Sequence, residues 1–305
     1  MTAALSTRRV TPAGLPLFDT VDEEFVAHFA EHGFALLADA LSADEVATIN
    51  ADAVRLCRGD FGEISNGRLD ASEAADLSDD EILRRYLCIH FPHKLVDSTR
   101  QALSAPRIVD ALVGVIGPNV KAMQSMLFIK SEGKPGQAWH QDEFFIPSRD
   151  RSLTASWIAL DDATIENGCL WVLPGSHRRG VIYPSREQDD PRFDCTGEAF
   201  DFPYTDADAV PVEIPRGTAV IFNGYLLHRS LENSGVHGYR RALTNHYMSA
   251  ESLLPWRPPG AGEHMATADF RDIVLVAGTD PYAYKGTEDL SLAYSRADKD
   301  GGCDR

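Results

Sequence analysis

The sequence has little of what marks secreted, membrane-bound or cysteine-rich proteins. Its 5 cysteines are odd in number and widely scattered, so we expect neither a disulfide framework nor a cysteine-based zinc or redox site. The N-terminal residues lack the apolar stretch of a signal peptide, and no apolar run is long enough to cross a bilayer. We therefore expect a cytoplasmic protein with no membrane partner.

Positive charge is also scarce. The chain holds 29 basic and 46 acidic residues, which gives a formal net charge of −17. A field of this sign repels phosphate backbones, so we do not expect a nucleic-acid partner. The expected partner is a small-molecule substrate. The composition does not indicate which oligomeric state the protein has.

What the sequence does contain is a helical first part and a β-rich second part. Its 305 residues, 44% of them hydrophobic, can bury the core of one large domain. Capping-box patterns at Thr20, Ser42 and Ser78 predict helix starts. From residue 119 onwards, short runs of β-branched and aromatic residues alternate with turn-forming residues. These runs predict strands over 120–129, 137–146, 153–160, 170–173, 219–222, 226–230 and 240–248.

We therefore predict an α+β fold, in which a double-stranded β-helix of the jelly-roll or cupin-like type has an N-terminal helical region packed outside it. The predicted organisation is a flexible arm over 1–18, a single domain over 19–290 and a tail over 291–305. Within the domain, the helical part spans 19–117, the β core 119–250 and a C-terminal extension 251–290.

The tripeptide His140-Gln141-Asp142 is the first candidate for chemistry. Residues i and i+2 of an extended strand project from the same face, so His140 and Asp142 can reach one point. Together with a second imidazole, they would form the facial triad of a non-haem Fe(II) site, which leaves positions open for a cosubstrate and dioxygen. The same alternation places Phe144 on the inward face, where it would either contact a substrate or fill the core.

Four later histidines could supply the second imidazole: His177, His228, His237 and His246. His177 follows a turn-forming Pro-Gly-Ser, and His237 lies in a predicted loop, so neither has a rigid platform. His228 ends an apolar, strand-like stretch and is therefore placed rigidly, as a metal ligand must be.

His246 is the rival, because it shares strand parity with Arg240. If His246 bound the metal, Arg240 would lie further along the same strand. With His228 as the ligand, Arg240 arrives from a separate strand and can approach from across the barrel. A cosubstrate that bridges metal and cation fits the second arrangement better. We therefore prefer His228 and assign His246 to core packing.

Arg240 matters because of the cosubstrate that such sites use. 2-Oxoglutarate chelates iron through its C1 carboxylate and keto oxygen, and its C5 carboxylate then points into the protein. A buried carboxylate needs a partner, and a planar guanidinium pairs with it in bidentate fashion. Arg241 follows directly, and strand alternation turns only one of the two inward, so Arg240 and Arg241 both stay open.

A set of short segments completes the pattern, in this order along the chain: 124–127, 139–143, 157–162, 166–170, 174–177, 228–230 with Asn233, and 240–243. Together they resemble the phytanoyl-CoA dioxygenase family of Fe(II)/2-oxoglutarate-dependent oxygenases. The resemblance covers roughly residues 20–250, and it is specific in combination although each segment is short.

The resemblance implies roles for individual residues. The iron ligands would be His140, Asp142 and His228. The far carboxylate of 2-oxoglutarate would be held by Arg240 and Ser230. The cosubstrate pocket would also be lined by Gln141, Trp157 and Met126.

The implied activity is hydroxylation of an unactivated C–H bond of a small molecule, with O2 consumed and succinate and CO2 released. Asp142 disfavours halogenation, because the halogenating relatives carry a small residue in its place. Two alternatives remain: a cupin-like protein that binds a metal or ligand without turnover, and a metal-dependent isomerase or hydrolase on the same scaffold. The sequence does not indicate whether the substrate is an acyl-CoA, an amino acid, an osmolyte or a secondary metabolite. It also does not distinguish hydroxylation from desaturation or cyclisation.

Overall fold

The protein is described here by a computed structural model that covers residues 9–254, apart from 68, 70 and 195, and residues 271–296. The α-helices are α1 (Glu23–His32), α2 (Ala43–Arg58), α3 (Ala71–Ala75), α4 (Asp79–Leu83), α5 (Asp97–Leu103), α6 (Pro106–Ile116) and α7 (Asp142–Phe145). The strands of the first half are β1 (Arg9–Val10), β2 (Pro16–Phe18), β3 (Phe34–Leu37), β4 (Cys88–His90), β5 (Val120–Lys130), β6 (Gln137–His140), β7 (Thr154–Ala159) and β8 (Leu170–Val172). Those of the second half are β9 (Ser185–Arg186), β10 (Glu198–Ala199), β11 (Val210–Val212), β12 (Ala219–Asn223), β13 (His228–Ser230), β14 (Arg240–Ser249), β15 (Val274–Ala277) and β16 (Tyr294–Arg296).

Two sheets form the β core. The larger sheet has the order β1-β2-β3-β12-β7-β14-β5-β4-β16, with β15 paired to β5, and the smaller has the order β11-β8-β13-β6. Trp157 and Ala159 of the larger sheet pack against Leu170 and Val172 of the smaller one in a shared apolar core. The predicted jelly-roll core is confirmed, and the candidate site lies between its two sheets.

The helices cover the other face of the larger sheet. Phe25 of α1 and Leu56 of α2 share an apolar cluster with Leu243 of β14. Ala242, which precedes Leu243 in β14, belongs to the apolar cluster between the sheets. Because side chains alternate along a strand, one face of β14 packs on helices and the other faces the smaller sheet. The predicted helical region outside the core is thus confirmed.

Local sequence signals account for most helix starts. Ser42 and Ser78 form the two-way capping boxes predicted for α2 and α4. The Thr20 prediction is wrong: α1 is capped by Asp22, whose carboxylate accepts a hydrogen bond from the Phe25 N–H. Asp22 competes successfully because a carboxylate is a strong N-cap. Among the described residues, no helix is long and apolar enough to cross a membrane.

The chain termini contain more structure than the sequence indicates. Within the expected arm, β1 and β2 are formed, and β2 pairs with β3 in parallel. The side chains of Leu17 and Phe18 are buried there, and this burial holds β2 on the sheet. Residues 1–8 lie outside the described part. In the expected tail, β16 pairs with β4, while residues 297–305 lie outside. Within the expected C-terminal extension, residues 255–270 also lie outside the described part. Its strand β15 joins the larger sheet.

Gly136 lies where the chain enters β6, and β13 passes so close there that no side chain fits. A Cβ at Gly136 would lie 1.9 Å from the Ser230 carbonyl oxygen. Gly136→Ala must therefore push β6 away from β13, and overpacking of this kind costs about 1–3 kcal/mol or more. We expect a loss of that size in the free energy of unfolding, measured with urea.

Gly133→Ala is the matched control for this steric effect. A Cβ at Gly133 meets nothing within 4 Å, although its φ of +75° strains an alanine by about 1 kcal/mol. Equal losses of stability in the two variants would contradict a steric role for Gly136.

Candidate metal centre

The structure brings the three predicted ligands together. His140 ends β6 and His228 begins β13, and the two residues are direct partners in the antiparallel register. Asp142 begins α7, two residues after the end of β6. One ligand atom from each of the three lies within 4.8 Å of the others. The Nε2 atoms of both histidines are 3.7 Å from Asp142 Oδ1.

Both imidazoles are held with one nitrogen facing the cluster. His140 Nδ1 lies 2.7 Å from the Ala138 carbonyl oxygen, and His228 Nδ1 lies 3.0 Å from the Leu226 carbonyl oxygen. A carbonyl oxygen only accepts, so each Nδ1 carries the proton and donates it. Each Nε2 is thereby turned toward Asp142 and is the nitrogen available to a metal ion.

Burial sets the charge states of the cluster. Desolvation, with His228 next to it, lowers the pKa of His140 to about 3, so this imidazole is neutral at physiological pH. For Asp142, burial favours the protonated form, but the imidazoles of His228 and His246 outweigh it and hold the pKa below its usual range. Two imidazoles and one carboxylate, converging from one side, are the donor set of a non-haem Fe(II) site.

His246 lies beside the cluster instead of in it. Its Nε2 is 3.0 Å from Asp142 Oδ2, the carboxylate oxygen that faces away from the other two histidines. The assignment of His246 to core packing is therefore wrong, because its ring contacts a predicted ligand and lines the cavity. Its strand parity with Arg240 was the signal for this position, since both residues project from the inner face of β14.

A cavity opens next to the cluster, between the two sheets. It contains about 470 Å³ of empty space, part of which is continuous with solvent. Four residues predicted to hold or enclose the cosubstrate line it: Met126, Trp157, Ser230 and Arg240. The other lining residues outside the cluster are Phe128, Gln137, Leu170, Phe222, Arg229, Thr244 and His246.

Arg240, not Arg241, is turned into this cavity. It is only 2% exposed, its Nε donates to the Gly168 carbonyl oxygen at 3.1 Å, and its Nη1 has no hydrogen-bond partner among the described residues. Burial lowers its pKa to about 10, so the guanidinium stays charged at neutral pH. Arg241 instead forms a two-point ion pair with Asp161, at 2.7 and 2.8 Å. A buried cation with a free donor is suited to hold an anion.

Gln141 does not line the cavity, contrary to the prediction. Its amide nitrogen donates to the Val181 and Tyr225 carbonyl oxygens, and its amide oxygen accepts from the Tyr183 N–H. None of the three partners lines the cavity. Gln141 instead ties the segment after His140 to two neighbouring loops.

The strand argument that placed Phe144 inward is also wrong. β6 ends at His140, and residues Asp142–Phe145 form a helical turn, so the period-2 alternation stops before Asp142. Phe144 is 49% exposed and lies with Phe145 and Tyr183 along a smaller cleft on the other side of His140. Asp142 reaches the cluster through this turn and not through strand geometry.

Comparison with known proteins places the chain among its relatives. The model of the phytanoyl-CoA dioxygenase (PhyH) family matches residues 29–242. A phytanoyl-CoA dioxygenase from Arabidopsis thaliana is 39% identical over 115 residues, which are 36% of this chain and 38% of that protein. The alignment thus spans less than half of the Arabidopsis protein. Phytanoyl-CoA dioxygenase domain-containing protein 1 from Mus musculus is 30% identical over 268 residues, covering 75% of this chain and 90% of that protein.

A solved structure supports the fold. The non-heme monooxygenase ThoJ, in its apo form, is similar to this chain with a TM-score of 0.62 and 22% identity. The similarity covers 84% of both chains. At this level of identity the likeness concerns the fold alone.

Proposed function

This chain belongs to the phytanoyl-CoA dioxygenase family, and from that premise we propose that it is an Fe(II)- and 2-oxoglutarate-dependent dioxygenase. The proposed reaction hydroxylates an unactivated C–H bond of a small molecule and converts 2-oxoglutarate and O2 to succinate and CO2. One observation carries the proposal: a cluster of two imidazoles and a carboxylate opens onto the same cavity as a buried arginine with an unused donor.

The cluster supplies the metal ligands. His140, Asp142 and His228 would hold Fe(II) from one side, and the opposite side would stay open for other ligands. Bound iron would supply the oxidation of the C–H bond, which no side chain in the cavity can perform. The carbonyl oxygens that fix both Nδ1 atoms keep the ligand nitrogens in place before any metal arrives.

The other end of the cavity would hold the distal carboxylate of 2-oxoglutarate. Arg240 Nη1 and the Ser230 hydroxyl are the groups available to bind it. The apolar side chains of Met126 and Trp157 would enclose the carbon chain and exclude water, which strengthens the ion pair with Arg240.

Arg240 also favours an oxygenase over the two alternatives. A protein that only stores a metal, or an isomerase or hydrolase that uses a metal-bound water, has no need for a buried guanidinium in the same cavity as the metal. Such a cation is costly to bury unless a bound anion pairs with it.

The proposal is tested by anaerobic reconstitution with Fe(II) and titration with 2-oxoglutarate. We expect the visible charge-transfer absorption of the iron chelate, followed by succinate formation when O2 and candidate substrates are added. Binding of Fe(II) with no chelate absorption at millimolar 2-oxoglutarate would reject the cosubstrate. Binding of 2-oxoglutarate without succinate from any substrate tried, including the slow uncoupled reaction, would favour a non-catalytic protein.

His246 offers a sharper test of the metal site. Its hydrogen bond to Asp142 Oδ2 keeps Oδ1 turned toward His140 and His228, so that the carboxylate binds through one oxygen. We expect His246→Leu to weaken metal binding by about 10- to 100-fold, as loss of such supporting hydrogen bonds does elsewhere. The measurement is calorimetric titration of the apoprotein with Mn(II).

His246→Gln keeps an N–H donor of similar reach and is the control for loss of the imidazole alone. It should recover most of the metal affinity. Wild-type affinity in His246→Leu would show that the carboxylate does not depend on this hydrogen bond.

A further inference from the structure

Lys130 is a buried lysine that the proposed function does not yet use. It ends β5, lies opposite Arg240 in the register of β5 and β14, and is 2% exposed. Its Nζ donates to Ser230 Oγ at 3.1 Å and to the Leu231 carbonyl oxygen at 2.5 Å. Lys130 thus contacts the side chain that would share the distal carboxylate with Arg240.

The contact constrains the direction of the Ser230 hydroxyl proton. A hydroxyl has two acceptor sites and one proton. Ser230 Oγ accepts from Lys130 Nζ and, at 3.2 Å, from the Gln137 N–H. Both neighbours donate to this oxygen, so its own proton must point away from both. Because Ser230 lines the cavity, the direction left for the proton is into that cavity.

Lys130 and Arg240 also lie close to each other. Both approach Gly168: Arg240 Nε donates to its carbonyl oxygen at 3.1 Å, and a Cβ at this glycine would lie 3.0 Å from Lys130 Nζ. Burial, with the charge of Arg240 next to it, lowers the pKa of Lys130 well below its usual range, so the ammonium form is disfavoured.

The acidic groups near Lys130 and Arg240 are already paired elsewhere. Asp194 binds Arg296 at 2.6 Å and Asp161 binds Arg241 at 2.7 Å. In the described part of the chain, no ion pair joins a carboxylate to Lys130 or Arg240. A carboxylate that entered the cavity would therefore meet the Arg240 guanidinium and the directed Ser230 hydroxyl, and Lys130 contacts that hydroxyl from outside the cavity lining.

Building on the proposed function, we propose that Lys130 is a positioning residue for 2-oxoglutarate. It turns the Ser230 hydroxyl proton toward the C5 carboxylate. Lys130 itself need not touch the cosubstrate, because it acts through Ser230. The Arg240 guanidinium and the directed hydroxyl also favour a ligand with a distal carboxylate over a 2-oxo acid that lacks one.

The test compares Lys130→Met with Lys121→Met. Lys121 is a matched control, because it also lies on β5, is fully buried and donates from Nζ to a backbone carbonyl oxygen, that of Ser252. Dissociation constants for Mn(II) and for 2-oxoglutarate are measured by calorimetry on the Mn(II)-loaded protein, in which no turnover occurs. We expect Lys130→Met to weaken 2-oxoglutarate binding by roughly 10- to 100-fold with Mn(II) affinity unchanged, and Lys121→Met to change neither.

A double-mutant cycle with Ser230→Ala tests the route of the effect. If Lys130 acts through Ser230, the double variant binds 2-oxoglutarate more tightly than the product of the two single losses predicts. Lys130→Gln, which keeps an N–H donor but no charge, serves if Lys130→Met does not fold, and it should lose only part of the affinity.

Two failures are distinguishable. Wild-type affinity for 2-oxoglutarate in both Lys130 variants, with the Arg240 dependence intact, would overturn the role of Lys130 and leave the proposed function standing. A wild-type protein that binds Mn(II) but not 2-oxoglutarate would overturn the proposed function, and the role of Lys130 with it.

Discussion

Replacing Arg240 with methionine should weaken 2-oxoglutarate binding more than any other single change outside the metal ligands. Loss of one partner from a buried, hydrogen-bonded charge pair costs about 2–5 kcal/mol, which is roughly 30- to several-thousand-fold in the dissociation constant. The loss is large because Arg240 is fully desolvated and no other carboxylate occupies its free Nη1. Methionine keeps the volume of the stem and removes only the charge and the donors.

The neighbouring Arg241→Met is the control that the chain itself provides. Arg241 is equally close in sequence but forms an ion pair with Asp161 outside the cavity, so its loss should leave 2-oxoglutarate binding unchanged. Calorimetry on the Mn(II)-loaded variants measures both effects. A larger loss in Arg241→Met than in Arg240→Met would mean that the cosubstrate is anchored elsewhere.

The stabilities of Arg240→Met and Arg241→Met should change in opposite directions. Without cosubstrate, Arg240 is a buried cation with an unused donor, and a buried apolar side chain in its place is neutral or stabilising by about 1–4 kcal/mol. Arg241→Met breaks an ion pair instead and leaves Asp161 without its partner, so it should lower the free energy of unfolding. Urea unfolding in the absence of 2-oxoglutarate measures the change in the free energy of unfolding for each variant. An Arg240→Met protein that is less stable than Arg241→Met would indicate a structural role for Arg240.

Much of this arrangement could be predicted because its signals are local. The Ser42 and Ser78 capping boxes are complete within four residues, and strand alternation correctly separates the environments of Arg240 and Arg241. The choice of His228 rests on its rigid strand and on the family resemblance. The β6–β13 register that places it opposite His140 is not visible in either segment alone.

The wrong predictions for Gln141 and Phe144 share one physical cause. The sequence predicts that the strand after residue 137 continues to 146, yet the chain leaves the sheet after His140 and forms a helical turn. That turn is held by contacts with distant loops, among them the bonds of Gln141 to residues 181 and 225. Such long-range contacts override local periodicity, so the positions of Gln141 and Phe144 outside the cavity lining could not be predicted from the sequence.

The same limit applies to His246. Its parity with Arg240 indicates the inner face of β14, but only the folded chain shows Asp142 Oδ2 within 3.0 Å of it. A histidine in a strand fills the core as readily as it supports a ligand. The contact partner that decides between these roles is 104 residues away in the sequence.

Removal of a metal ligand should have the largest effect of all. Asp142→Ala leaves the two imidazoles and takes away the carboxylate that lies between them. Because loss of a merely supporting hydrogen bond already costs about 10- to 100-fold, we expect Mn(II) affinity to fall by more than 100-fold and succinate formation to become undetectable. His237→Ala, which removes an exposed imidazole far from the cluster, should retain both properties.

The Asp142→Ala protein should nevertheless fold, and this separates a metal role from a structural one. Asp142 is a buried carboxylate whose desolvation opposes its charge, and His246 is its hydrogen-bond partner on the side away from the other imidazoles. Its removal takes a desolvated charge out of the apoprotein, which raises the free energy of unfolding. It also leaves His246 Nε2 unpaired, which lowers the free energy of unfolding. We therefore expect the apoproteins to unfold at similar urea concentrations, while added Mn(II) stabilises only the wild type. Equal stabilisation of both proteins by Mn(II) would place the metal at some other site.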